Sequence, residues 1–500
     1  MKVDSTTPRA SHVNTGTSDA GQRELWPKTS GPVLRHPKLL VSAVPDEPVT
    51  AHAGLSLAAA VVKRLRIAEE INQRVAVLKL HLPFFESDHV LVHAYNLFVG
   101  GSAIEDIGEL QGNVAVRRML GAARLPDPTT AGDFLRRFTK PQIQLLDEAI
   151  DAVQDRVWQK RLKKKKLDQI VVDVDSHIHA VYGEKKEGAD FGYTGEWSYH
   201  PLIVSIAGTG EILRIINRSG NAPSAEGTAD VLDEILPMLK RRARQVVVRG
   251  DSAFCRADIM QVCEKHEVKF AFVCACHPPL VANAGKIAKS AWKRFRTRAH
   301  REHLSDVVKS RRKRRRNRKR RRALQRQKHD LKLHRQWIAE VPHQPARISS
   351  TFRLIIRRQL IHETDTQGDL FETWRYRFVL TNITDRPAQD VVDLTYERCD
   401  QENVIEQLQN GIAGMRMPTG SAIANDAYLR CVRLAANLKA WISLLAFPGE
   451  VIRWKWKRFR FAFVHLSAEV IFHARQTQIR FLGRSRFTDR VLGALAILQT

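Results

Sequence analysis

Three separated acidic residues have the types and settings to do chemistry. Asp175 stands in Val-Val-Asp-Val-Asp-Ser-His, Asp251 in Val-Val-Val-Arg-Gly-Asp-Ser-Ala-Phe, and Glu402 in Tyr-Glu-Arg-Cys-Asp-Gln-Glu-Asn-Val-Ile-Glu. The first two close apolar, β-branched runs that read as buried strands, and the third lies on a helical stretch. Two strand ends and a helix can converge on one point. Three carboxylates gathered there would cage hard divalent cations, as suits phosphodiester chemistry on a nucleic acid.

Phosphodiester cleavage must activate a nucleophile and stabilise charge on the leaving oxygen. Two metal ions roughly 3.5–4 Å apart do both. Mg²⁺ takes oxygen ligands and keeps several waters, so a few carboxylates suffice, with Mn²⁺ as a substitute. Taken singly, an Asp at a strand end is more often a turn former or helix cap; the combination with Glu402 shifts the balance. Asp173 lies two residues before Asp175 and shares its sheet face, so it is a second candidate. Glu406 lies one turn after Glu402, and Asn403 and Gln409 are near enough to position phosphate or water.

Composition narrows the partner. The 500 residues hold 81 Lys+Arg against 53 Asp+Glu, a formal net charge of +28. Such an excess predicts a polyanionic partner, nucleic acid or an anionic membrane surface. No run of about 18 apolar residues reads as a membrane span, and Met1–Ser30 lacks the apolar core of a secretory signal. Six cysteines read as reduced thiols, which places the chain in the cytoplasm. Cys263, His266, Cys274, Cys276 and His277 raise zinc as an alternative, but their spacing matches no common finger.

The elements that must position the acids follow from periodicity. Residues 1–50, rich in Ser, Thr, Pro and Gly, read as a disordered arm. Residues 51–165 carry helical spacing over Leu55–Arg66, Phe84–Phe98, Ile104–Met119 and Ala131–Val157, either a DNA-binding module or a packing scaffold. Over 166–276 the pattern gives three strands, helix, strand, helix, strand. That order predicts an α/β fold, a ribonuclease H-like mixed sheet with helices on both faces. Residues 277–387 read as an insertion of basic loop plus β-strands; its densest run holds Arg314, Arg315, Arg316, Lys319 and Arg320, a backbone-binding arm or a solvated loop. Helix returns over 388–447, carrying Glu402, and 448–500 is a basic tail. There Trp454 and Trp456 alternate with Lys455 and Lys457, which suits either backbone contact or a cover for the core.

Several short motifs carry a family resemblance. They are Asp173-Val-Asp-Ser-His177, Tyr199-His-Pro-Leu202, Arg218-Ser-Gly-Asn221, Arg249-Gly-Asp-Ser-Ala-Phe254 and Phe378-Val-Leu-Thr-Asn382. Tyr396-Glu-Arg-Cys-Asp-Gln-Glu-Asn403, Asn425-Asp-Ala-Tyr428 and Ala435-Ala-Asn-Leu438 complete the set. In this order, from about 170 to 440, they resemble a bacterial insertion-sequence transposase of the DDE type, in the insertion-sequence-four superfamily, thirteen-eighty branch. The resemblance implies a ribonuclease H-like core, two Mg²⁺ ions, and a triad of Asp175, Asp251 and Glu402. It implies that Arg398, four residues before Glu402, holds a phosphate, with Tyr396, Asn403 and Gln409 beside it. Gln409 stands where the family signature has Lys, and His177 where Thr is more usual. Trp374 would stack on a flipped base near the element end, or else pack in the core.

The expected activity is cut-and-paste strand cleavage and transfer on double-stranded DNA. It would act on terminal inverted repeats and target DNA, as a homodimer in the synaptic complex, near the bacterial nucleoid. Two other readings compete. A DNA-binding derivative would bind without cutting, and a structure-specific nuclease would cut without joining.

Overall fold

The computed structural model describes residues 48–163, 165–296, 336–364, 370–447, 449–473 and 476–500; the side chains of 362–364, 370–372 and 399 are left aside. The arm over 1–47 and the run holding Arg314, Arg315, Arg316, Lys319 and Arg320 lie outside the described residues. A short strand β1 (Val49–Thr50) leads into α1 (Leu55–Leu65), α2 (Ile67–Arg74), α3 (Glu86–Val99), α4 (Ile107–Gly112), α5 (Val114–Leu120), α6 (Pro128–Leu135) and α7 (Lys140–Leu162). Capping residues set several starts. The Asp127 carboxylate accepts from Thr130 N at 2.9 Å ahead of Pro128, the fixed-φ first residue of α6.

The strands come next: β2 (Leu167–Ser176), β3 (His179–Ala180), β4 (Asp190–Phe191), β5 (Trp197–Tyr199), β6 (Leu202–Ile206) and β7 (Ile212–Ile216). They are followed by α8 (Thr228–Arg242), β8 (Ala243–Gly250), α9 (Ala257–Lys265), β9 (Lys269–Cys274), α10 (Pro278–Gly285) and β10 (Lys293–Arg294). Strands β11 (Gln336–His343), β12 (Phe352–Thr364) and β13 (Leu370–Thr381) precede α11 (Ala388–Tyr396), α12 (Cys399–Glu406) and α13 (Ala422–Ala446). The chain closes with α14 (Trp456–Phe459), β14 (Ala468–His473), β15 (Gln476–Phe481) and α15 (Arg486–Gln499).

Nine strands form one mixed sheet in the order β10-β11-β12-β13-β9-β8-β2-β6-β7. The centre, β9-β8-β2, is parallel, and both flanks are antiparallel. The parallel strands are apolar because both faces are covered. Ile170, Val172, Val174, Val246 and Val248 pack under Leu232, Leu236, Leu239, Ile259 and Met260 of α8 and α9. On the opposite face Val247 and Ala271 meet Val391, Val392 and Leu394 of α11. The β-rich insertion is not a separate sheet, since β13 pairs with β9 and extends the central one.

The amino-terminal helices do not stand apart either. α1, α3 and α7 share one core with α13, α14 and α15. Buried ion pairs lock this layer to the sheet. Arg430 and Arg433 of α13 hold Asp147 of α7, and Arg433 and Arg214 of β7 hold Asp151. Residues 47–500 form one compact unit. No helix among the described residues is long and apolar enough to cross a membrane.

Candidate active site

The alternation along two neighbouring strands decides where the acids go. In β2, Ile170, Val172 and Val174 enter the α8–α9 core, so Asp173 and Asp175 face the other side. In β8, Val246 and Val248 enter the same core, and Val247 and Arg249 face away from it. The parallel register sets Asp173 beside Arg249. Asp175 lies two residues further along β2, and Asp251 directly follows Gly250, the last residue of β8. Thus a register fixed by valines gathers two carboxylates that are distant in sequence.

Gly250 lets the strand end close in. A Cβ there would lie 2.9 Å from both Phe254 Cβ and Val174 Cγ2, too near for any side chain. The Asp251 carboxylate then caps the short turn Ser252–Phe254, accepting from Ala253 N at 2.9 Å. Asp175 accepts from its neighbour Ser176 N at 2.9 Å.

Arg398 joins the two acids. Its Nη2 donates to Asp175 Oδ2 at 3.0 Å, and its Nη1 lies 3.8 Å from Asp251 Oδ2. Nη1 is buried without a hydrogen-bond partner, so the guanidinium is held by charge on that side. Burial pushes the Asp175 carboxyl up to about 6; Arg398 opposes this, and the nearby charges of Asp251 and Asp173 add to it. Two acids that share one cation form a site built for positive charge.

Arg249 works one layer below. It grips both oxygens of Asp173, and its Nη1 donates to Leu394 O at 2.5 Å while Nη2 donates to Glu397 O at 3.1 Å. It therefore ties β2 and β8 to the end of α11, from which Arg398 and α12 continue. Asp173 is 0% exposed and committed to this pair, although burial still raises its pKa. The sequence reading passed over Arg249 as part of a motif. Its signal was a charged residue inside an otherwise apolar strand, opposite a buried Asp.

α12 docks on β6 through buried Gln401, which accepts from Ser205 Oγ and donates to Ile203 O at 3.3 Å. Glu402, one residue on, is exposed. Among the described residues no group of three or more His, Cys, Asp or Glu is placed to hold a metal ion. The structure thus unites Asp175 with Asp251 and keeps Glu402 apart, one turn beyond Arg398. Cys263, His266, Cys274, Cys276 and His277 form no such group either.

The remaining candidates spread around this centre. Gln409 sits in a π-turn, Gln407–Gly411, and hydrogen-bonds His177 just past β2. Burial lowers the pKa of His177, and His179 falls to about 4 for the same reason. Asn403 lines a cavity of about 530 Å³ with Asp173, Asp400 and Lys439. Glu406 pairs with Lys455 at 3.4 Å. Tyr396 lies under Arg357, 4.5 Å from its ring centre, and accepts from Arg377 Nη1 at 3.4 Å. Trp374 and Trp292 sandwich Arg358, at 4.4 and 3.9 Å.

A family model described as "Transposase DDE domain group 1" matches residues 37–500. No curated protein matches the chain. Among solved structures, a piggyBac transposase synaptic complex with hairpin DNA aligns at 7% identity, covering 83% of this chain and 79% of that one, with a TM-score of 0.35.

Proposed function

Because the chain belongs to the transposase DDE domain group 1 family, we propose that it cuts and joins DNA at the ends of a bacterial insertion sequence, by a cut-and-paste route on a ribonuclease H-like sheet. Asp175, Asp251 and Glu402 are its carboxylates. The observation that carries this reading is the convergence of Asp175 and Asp251 on one cationic group, Arg398.

The pair offers only oxygen donors, which fit Mg²⁺, or Mn²⁺ in its place. Two such ions held by Asp175, Asp251 and Glu402 would activate water and neutralise charge on the leaving oxygen. The chain's own residues do the positioning. Glu402, one turn past Arg398, would supply the third carboxylate from the same helical segment. Arg398, now balanced against the carboxylates, turns its fork to a DNA phosphate, a geometry guanidinium suits better than Lys. His177, whose pKa burial lowers, and Gln409, its hydrogen-bond partner, would offer polar contacts beside the pair without adding charge. Tyr396 and Asn403 flank the strand. The 3′-hydroxyl left by cleavage then attacks a second phosphodiester, as the two ends held by a homodimer require.

The test is a strand-cleavage and strand-transfer assay on duplex DNA bearing the element's inverted repeats, with Mg²⁺. Wild type should leave 3′-hydroxyl ends and join them to target DNA. Asp251→Asn and Glu402→Gln should each lose roughly 10²–10³-fold or more. Equal cleavage by wild type and Asp251→Asn would sink the triad. Cleavage without joining would favour a nuclease, and specific binding without cleavage a DNA-binding derivative.

A further inference from the structure

The stretch from Trp454 to Phe461 divides cleanly between core and surface. Trp454, Trp456 and Phe459 are buried, while Lys455, Lys457, Arg458 and Phe461 face out. A turn and a short helix achieve this. The backbone is pinned from below. Gln407 Oε1 accepts from Trp456 N at 2.7 Å. Arg460 turns inward and donates to the carbonyls of Leu97, Phe98 and Gly411 at 2.5, 3.0 and 2.7 Å. The outward cations therefore stand on a fixed platform rather than a loose tail.

Between this platform and the end of α12 runs a groove of about 910 Å³. Four Lys or Arg line it (Lys455, Lys457, Arg458 and Arg460) against one acid, Glu406. That acid accepts a hydrogen bond from its neighbour Gln407 and pairs with Lys455. Its pair with Lys455 is solvent-exposed on both sides, and such pairs contribute little and exchange readily for phosphate. Glu406 also fixes where the groove begins. It lies four residues past Glu402, about 6 Å along the helix. A duplex advances about 3.4 Å per nucleotide of one strand, so the groove starts about two nucleotides from Glu402.

We propose that this groove is a phosphate track for duplex DNA, in which Lys455, Lys457 and Arg458 hold the backbone of the strand leaving the cutting site. The assignment rests on the proposed DNA-cutting function and adds the surface that carries the substrate. Charge, depth and continuity with α12 argue for it together. Phe461, 71% exposed at the rim, gives the sugar edge an apolar contact.

The test measures salt dependence of binding to an inverted-repeat duplex by fluorescence anisotropy, in the Asp251→Asn background so that the DNA stays whole. Replacing Lys455, Lys457 and Arg458 together by Gln should reduce the slope of log affinity against log salt by about 3, near 0.9 per phosphate contact. The charge-preserving set Lys455→Arg, Lys457→Arg and Arg458→Lys should keep the parent slope. An unchanged slope in the Gln variant overturns the track, even where wild type cleaves normally and the cutting function stands. A reduced slope in a protein that never cleaves supports the track and removes the cutting function instead. A parent that binds no DNA overturns both.

Discussion

Arg398 and Arg249 do different work and should fail differently. Arg398 touches the carboxylates at the mouth, so Arg398→Ala should leave the fold intact and abolish cleavage, with Arg398→Lys restoring little because the fork is lost. Arg249 is buried with Asp173. Arg249→Met leaves that carboxylate unpaired and should cost about 3–5 kcal/mol of stability in urea denaturation. The paired change Arg249→Met with Asp173→Leu should recover most of it; no recovery would mean that the clamp on Leu394 and Glu397 matters more than the charge. Asp175 has the opposite sign from an ordinary paired acid. Its folded pKa, about 6, lies above the unfolded value of about 3.9, so stability falls as pH rises between the two. Asp175→Asn should therefore unfold at higher denaturant than wild type at pH 7, and at nearly equal denaturant at pH 3.5. Of these residues, Asp175 and Asp251 were legible because each ends an apolar run. The clamp of Arg249 was not, since which buried acid a guanidinium meets depends on register between strands.

At the level of elements, β2 and β8 must approach closely at their ends, and Gly250 is the residue that permits it. Gly250→Ala should cost about 1–3 kcal/mol by overpacking against Phe254 and Val174, and should slow cleavage more than it lowers stability, by displacing Asp251. Equal cleavage by a folded Ala variant would show that the turn has slack. The long helix α13 offers a second case. Asn437 Oδ1 accepts from Ile212 N at 2.7 Å and its Nδ2 donates to Ile212 O at 2.9 Å, joining the helix to edge strand β7. Two motif asparagines and Asp426 are thus structural, since Asn425 holds Thr419 and Asp426 accepts from Asn217 N. The central strands and helices were readable from period alone. The small sheet β3-β5-β4 was not, because two- and three-residue strands leave no period.

Across the whole molecule, the helical layer and the sheet are bound by charge as well as by apolar contact. Burial alone would raise Asp147, but Arg430, Arg214 and Arg433 outweigh it and hold its pKa below the usual carboxylate range. A depressed folded-state pKa gives stability that is present above the unfolded value of about 3.9 and lost as pH falls through the folded one. Denaturation midpoints followed from pH 6 down to 3 should drop in wild type. In Asp147→Asn they should start lower, since Arg430 and Arg433 lose their partner, and drop less. A parallel fall in both would remove Asp147 as the cause. The joining of helices 55–162 to α13 in one core was hidden from the sequence, where more than 250 residues separate them.

The same separation orders events in time. Asp175 and Arg398 lie 223 positions apart, and the groove beside α12 is made by residues later still. A chain leaving the ribosome shows its first acid long before it owns the guanidinium, the helix or the platform. Any product broken off before residue 398 therefore lacks the guanidinium, α12 and the groove. The proposed cutting centre can close only once residue 398 has joined the folded chain.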